Sequence, residues 1–166
     1  MFESQKRAHM VEFVFYIFLL FAAIMWIGLY MIGKWERMRD VKRQTDARQI
    51  RTVVEMYLTS FDSLPDNETN YDWDYSYNPE TDKVSILFRG LIEKDFITPV
   101  FDPMNSEKYY YRYHKFKAGE YGCERNFAIF QIMSFEGKIR DRGQGICPER
   151  NFAAESPNGY TIQWFE

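Results

Sequence analysis

Twenty-one consecutive positions, Phe13 to Gly33, carry no charge. The run, FVFYIFLLFAAIMWIGLYMIG, is rich in Phe, Leu and Ile. As a helix rising about 1.5 Å per residue it spans roughly 31 Å, the thickness of a bilayer's hydrocarbon core. Trp26, Tyr30 and Trp35 gather toward its C-terminal edge, where amphipathic rings favour a membrane interface. A buried core helix is the alternative, but uncharged runs this long are rare outside membranes. The run also exceeds a signal peptide's apolar region, and no small-x-small cleavage site follows it. One uncut transmembrane helix over 13–33, behind a short arm at 1–12, is the expectation.

The helical pattern continues beyond it. After Lys34 no Pro or Gly occurs until Pro65, and apolar residues recur at Ala47, Ile50, Val54, Tyr57, Leu58 and Phe61. Steps of three and four lay one stripe along an amphipathic continuation over 34–61. Arg43, Asp46, Arg48, Arg51 and Glu55 fall largely off that stripe, and the charges of Glu36–Arg43 are expected to be a solvated collar, with a lipid-headgroup site the less common alternative for such a run. One helix from about Val11 to Ser60 is predicted, ended by Pro65, which disfavours helix at Leu64. Asp66 to Pro79 reads as a loop dense in Asp, Asn and Tyr. Val84–Leu91 fits a short helix or a strand. Tyr109–Phe116, Asn126–Phe135 and Tyr160–Phe165 are β-prone, and the middle run is apolar on almost both faces, as a central strand would be. The predicted fold is α+β: a long helix whose residues 44–61 pack on a small antiparallel sheet within a head at 62–166.

Charge and composition narrow the function. Residues 1–61 hold 9 Lys/Arg against 6 Asp/Glu, and residues 62–166 hold 12 against 18. An acidic head repels phosphates, so no nucleic acid is expected on it, though a basic patch is compatible with a negative total. Aromatics reach 19%, and Tyr71, Trp73, Tyr75 and Tyr77 form either a contact surface or ordinary core. The two cysteines, Cys123 and Cys147, are disulfide candidates that suit an oxidising compartment. Asn67-Glu-Thr69 matches a glycosylation sequon, a short pattern common by chance. There is no H-E-x-x-H, C-x-x-C, Walker loop, dinucleotide fingerprint or G-x-S-x-G, so no catalytic residue, metal site or cofactor is expected, and the chain does not read as an enzyme.

The order of parts, together with Asp46-Ala-Arg-Gln-Ile-Arg-Thr-Val-Val-Glu-Met-Tyr57 followed by Leu64-Pro65, resembles the type IV pilin and type II secretion pseudopilin superfamily. So does the passage Leu91–Ile97, Pro99, Phe101-Asp-Pro-Met-Asn105 and Tyr109-Tyr-Tyr-Arg-Tyr113. The resemblance covers roughly residues 10–116. It implies a pilin-like structural protein acting in a secretion, pilus or DNA-uptake system, with other pilin-like subunits, membrane lipid and further copies of itself as partners. It also implies a role for Glu12 as an assembly residue neutralised by a neighbouring subunit's N-terminal amine. At headgroup level in water the same carboxylate needs no partner. The family's cleavage motif is degenerate here: with Glu12 aligned, Arg7 stands where the family has Gly and Ala8 at the first mature position. Processing of the N-terminus and entry into a filament therefore stay open. Some pseudopilins bind calcium in a C-terminal loop, which makes Asp66, Asp72, Asp74 and Asp102 candidate ligands, yet they lack EF-hand spacing and an acidic loop is more often solvated.

Orientation pulls two ways. Lys34, Arg37, Arg39, Lys42 and Arg43 follow the apolar run, and the positive-inside rule places that side in the cytoplasm. The cysteines favour a head outside it, and an extracytoplasmic head on a single-pass inner-membrane protein is the expectation. The rival class is a single-pass receptor or sensor with a ligand pocket lined by Tyr71–Tyr77, which requires a ligand-sized cavity there.

Overall fold

The computed structural model describes residues 2–68 and 72–166, with side chains from Glu12 onward. Two compact units make up the chain, Met1–Met38 and Arg39–Glu166. Helix α1 runs Phe2–Phe61, beginning earlier than the predicted Val11. Residues 2–10 contain no Pro or Gly, and once a helix is nucleated each further residue adds a hydrogen bond. The helix ends one residue past Ser60. Asp62 adopts a left-handed conformation (φ 51°) and its N–H donates to the Leu58 carbonyl at 2.9 Å, an αL-type cap that satisfies an otherwise orphaned C=O.

In the first unit every side chain from Glu12 to Met38 is exposed. This is the one helix among the described residues that is long and apolar enough to cross a membrane.

In the second unit a four-stranded antiparallel sheet has the order β1 (Asp74–Tyr75), β4 (Tyr111–Phe116), β5 (Phe127–Ile132), β8 (Tyr160–Phe165). The three long strands fall inside the β-prone runs. All six residues of β5 are buried, because each face of this strand meets a different core. Ala128, Phe130 and Ile132 join Ile50, Val53 and Val54 of α1 in the larger core, with Tyr111, Tyr113, Ile162 and Trp164. Phe127 and Ile129 face away, into a smaller core with Phe116, Phe152, Cys123 and Cys147. Val84–Leu91 divides between both predicted forms: β3 (Lys83–Val84) pairs with β2 (Tyr77–Asn78) in a hairpin, and α2 starts at Arg89 (Arg89–Glu93). The Asp66–Pro79 segment is mostly loop, as expected, but contributes β1 to the sheet edge. A second small hairpin, β6 (Ile146–Cys147) with β7 (Arg150–Asn151), leads into the single turn α3 (Phe152–Glu155).

The loop between β5 and β6 is pinned against β8. Thr161 donates its N–H to the Arg142 carbonyl at 2.9 Å and accepts at its own carbonyl from Gln144 N–H at 3.0 Å. The approach is so close that a Cβ on Gly143 (φ +74°) would sit 1.8 Å from the Thr161 oxygen, so only glycine fits.

Candidate functional site

The α1 stripe opens one turn earlier than expected and opens on charge. Arg43 is completely buried and Asp46 nearly so, which corrects their placement off the stripe and takes Arg43 out of the solvated collar expected over Glu36–Arg43, where Glu36, Arg37 and Lys42 are exposed. Positions 43, 47, 50 and 54 follow steps of four, three and four, so Arg43 continues the buried face. A guanidinium is tolerated there because its donors are met. Nε and Nη2 donate to Asp102 Oδ2 and Oδ1 at 2.6 and 2.9 Å, and Nη1 to Asp40 at 2.7 Å and Glu136 at 3.0 Å. The Tyr109 ring lies 4.7 Å from the guanidinium carbon. Burial works against the Arg43 charge, and the carboxylates of Asp102, Asp40 and Glu136 more than offset it, so its pKa lies above the ordinary value. Arg39 forms a second, bidentate pair with Glu136, which holds that carboxyl below its usual range. One helical turn on, Asp46 accepts from Lys42 and from the Tyr111 hydroxyl, each at 2.9 Å. Burial chiefly, with Asp46 adding to it, pushes the Tyr111 hydroxyl pKa up. This network fixes the Arg39–Phe61 stretch of α1 to the loop before β4 and the loop after β5.

The predicted site residues are dispersed. Glu12 is exposed on α1. Tyr71 lies outside the described residues. Trp73 packs against Phe116 at 5.7 Å and Phe152 at 6.2 Å, with the Arg112 guanidinium 4.1 Å above its ring, so it belongs to the smaller core more than to a free surface. Tyr75 pairs with Tyr110 at 5.9 Å, and Tyr77 donates its hydroxyl to Asp82. Cys123 and Cys147 are bonded, with Cα atoms 5.3 Å apart. The four aspartates have separate engagements: Asp66 pairs with Lys115, Asp72 accepts from Trp73 N–H at 2.7 Å, Asp74 accepts from Glu68 N–H, and Asp102 is occupied by Arg43. Among the described residues no three His, Cys, Asp or Glu side chains gather in a metal-ligating group.

Among the described residues of the second unit, two open clefts stand out. One, of about 420 Å³, lies between Tyr57, Pro65–Glu68 and α2. The other, of about 370 Å³, lies between α1 and the loop that follows β5. Ala47, Phe135, Ile139, Tyr160 and Ile162 form its apolar lining, and Arg48, Arg51, Lys138 and Arg140 stand around it with Asp141 as the sole acid. Neither of these two clefts is lined by Trp73, Tyr75 or Tyr77. Sequence reasoning missed the basic cleft. Its two halves lie some ninety positions apart, and the only local signal was Lys138-Ile-Arg-Asp-Arg142, a cationic run in an acidic head.

No family model, curated protein or solved structure matches this chain. The α+β class follows from the coordinates, and the pilin likeness rests on sequence pattern and the order of parts.

Proposed function

We propose that the chain is a non-enzymatic, membrane-anchored, pilin-like structural protein that works through contacts of its apolar helix and its head in a secretion, pilus or DNA-uptake assembly. The observation that carries this reading is the division of α1. Its first stretch leaves Phe13, Phe18, Phe21, Trp26 and Leu29 each more than 60% exposed, and its last stretch is built into the core of the head. A continuous apolar surface of this size is not sustained in water and calls for lipid or other helices. The disulfide favours a head outside the cytoplasm, and the basic residues after the apolar run favour the opposite side.

Membrane fractions washed with alkaline carbonate test the anchor: the full chain stays with the bilayer, and release into the wash overturns the reading. A photo-crosslinker at Leu20, in lipid, is expected to capture another apolar helix, either a second copy or another subunit. Repeated capture of lipid alone overturns the assembly role and leaves a solitary anchor. Protease shaving of intact cells then reports the side on which the head lies.

A further inference from the structure

The second unit is electrically lopsided. Residues 62–82 hold seven Asp/Glu and no Lys/Arg, whereas the cleft beside α1 gathers Arg48, Arg51, Lys138 and Arg140 around one acid. None of these four cations forms an ion pair within the chain among the described residues. Four unpaired cations around an apolar floor call for an occupant that is acidic at its tip and apolar at its flanks.

The tip of the β2–β3 hairpin and its Tyr77/Val84 pair have that composition, with Lys83 the one cation beside them. Its tip, Pro79–Asp82, presents Glu80 and Asp82 to solvent. Just behind the tip, Val84 is 65% exposed and paired in register with Tyr77. The tip is pre-shaped, because Asn78 Oδ1 accepts from the N–H groups of Glu80 at 2.9 Å and Thr81 at 3.3 Å, and Tyr77 donates its hydroxyl to Asp82. A shape held before contact loses little entropy on binding. The cleft is equally prepared, since the loop carrying Lys138 and Arg140 is tied to Asp40 through Gly137 N–H and to Thr161 beyond.

Hairpin and cleft lie at opposite edges of the sheet. The hairpin follows β1 and the cleft is lined by Tyr160 and Ile162 of β8, and these two edge strands stand three strand spacings or roughly 14 Å apart. We propose that the acidic β2–β3 hairpin of one copy docks into the basic cleft of a second copy of this chain. Glu80 and Asp82 meet Arg48, Arg51, Lys138 and Arg140, and Tyr77 and Val84 cover the apolar floor. Such a contact uses two different surfaces, so it is heterologous and repeats head to tail. It rests on the assembly reading above and names the head surface through which assembly proceeds. A single hairpin buries little area and binds weakly alone; confinement to one membrane raises its effective concentration.

The test uses the full chain in nonionic detergent, as an equal mixture of unlabelled and nitrogen-15-labelled protein. A carbodiimide activates the Glu80 or Asp82 carboxylate, and the Lys138 amine displaces it to form an amide, the reagent leaving as its urea. Linked peptides with one labelled and one unlabelled half establish contact between copies. Links confined to one isotope, or none, overturn the proposal. Sedimentation of R48E/R51E and of E80K/D82N is expected to show association weakened about tenfold or more, with the four changes combined in one chain tighter than either pair. These side chains are exposed, and an unchanged near-UV circular dichroism spectrum certifies the fold. Association that ignores both pairs of substitutions overturns the hairpin–cleft contact. If Leu20 still captures a neighbour in that case, the assembly reading survives without it.

Discussion

Arg43 is the residue on which the helix–head junction turns. Its guanidinium and the Asp102 carboxylate both have fully buried side chains, and breaking such a pair from one side leaves an uncompensated charge in the interior. Arg43→Met is therefore expected to lower unfolding free energy by about 3–5 kcal/mol. Arg43→Met with Asp102→Asn should lose less, because the amide keeps the bond that Asp102 Oδ1 accepts from Met104 N–H at 2.8 Å without the orphaned charge. Denaturant titration of the full chain in detergent, followed by near-UV circular dichroism, measures both; equal losses would count against this account. The sequence carried a trace of this arrangement in the four-residue step from Arg43 to Ala47. Of the Arg43 counter-ions only Asp40 is local, and what the sequence lacked was the identity of the other two, Asp102 and Glu136, which come from positions 59 and 93 residues away.

Among the elements, those with strong local periodicity were the legible ones. The helix, the three long strands and the burial of β5 on both faces all followed from spacing and residue type. The two-residue strands did not, because a pairing that short is decided by what lies beside it and not by its own alternation. The smaller core illustrates the same point, since Trp73, Phe116, Phe127 and Phe152 meet there from four separate segments. The Cys123–Cys147 bond crosses that core and closes a loop of 24 residues. Its reduction is expected to cost about 2–4 kcal/mol. Scanning calorimetry with and without reductant checks this, and the loss should fall on the head transition and spare the apolar helix signal.

For the molecule as a whole, pH reads out how the head is assembled. Burial lowers the His114 pKa below its ordinary value, so the unfolded chain takes up that proton first. The stability this residue contributes is complete above pH ~6.5 and falls as pH drops from there toward its folded value. Glu136, Glu155 and Glu166 are also held below the carboxylate range: Glu136 by Arg39 first, and the other two by bonds that outweigh burial, from Arg150 to Glu155 and from Leu64 N–H and Lys115 to Glu166. Their contribution is complete above pH ~4.3 and is lost as pH falls through the lowered folded values. Melting temperature against pH should thus decline in two stages, and His114→Gln should remove the upper one while leaving the lower.

Chain order alone established a long helix with an uncharged span and a two-faced continuation, a small sheet with β5 at its centre, and the absence of familiar catalytic motifs. Those follow from contacts within a few residues, where helix and strand periods are written directly. Folding decided which charges are buried, that the α1 stripe begins at Arg43, and that Arg48 and Arg51 face Lys138 and Arg140 across a cleft. These depend on Coulombic and packing partners brought together from distant positions, and a one-dimensional pattern holds no distance between them.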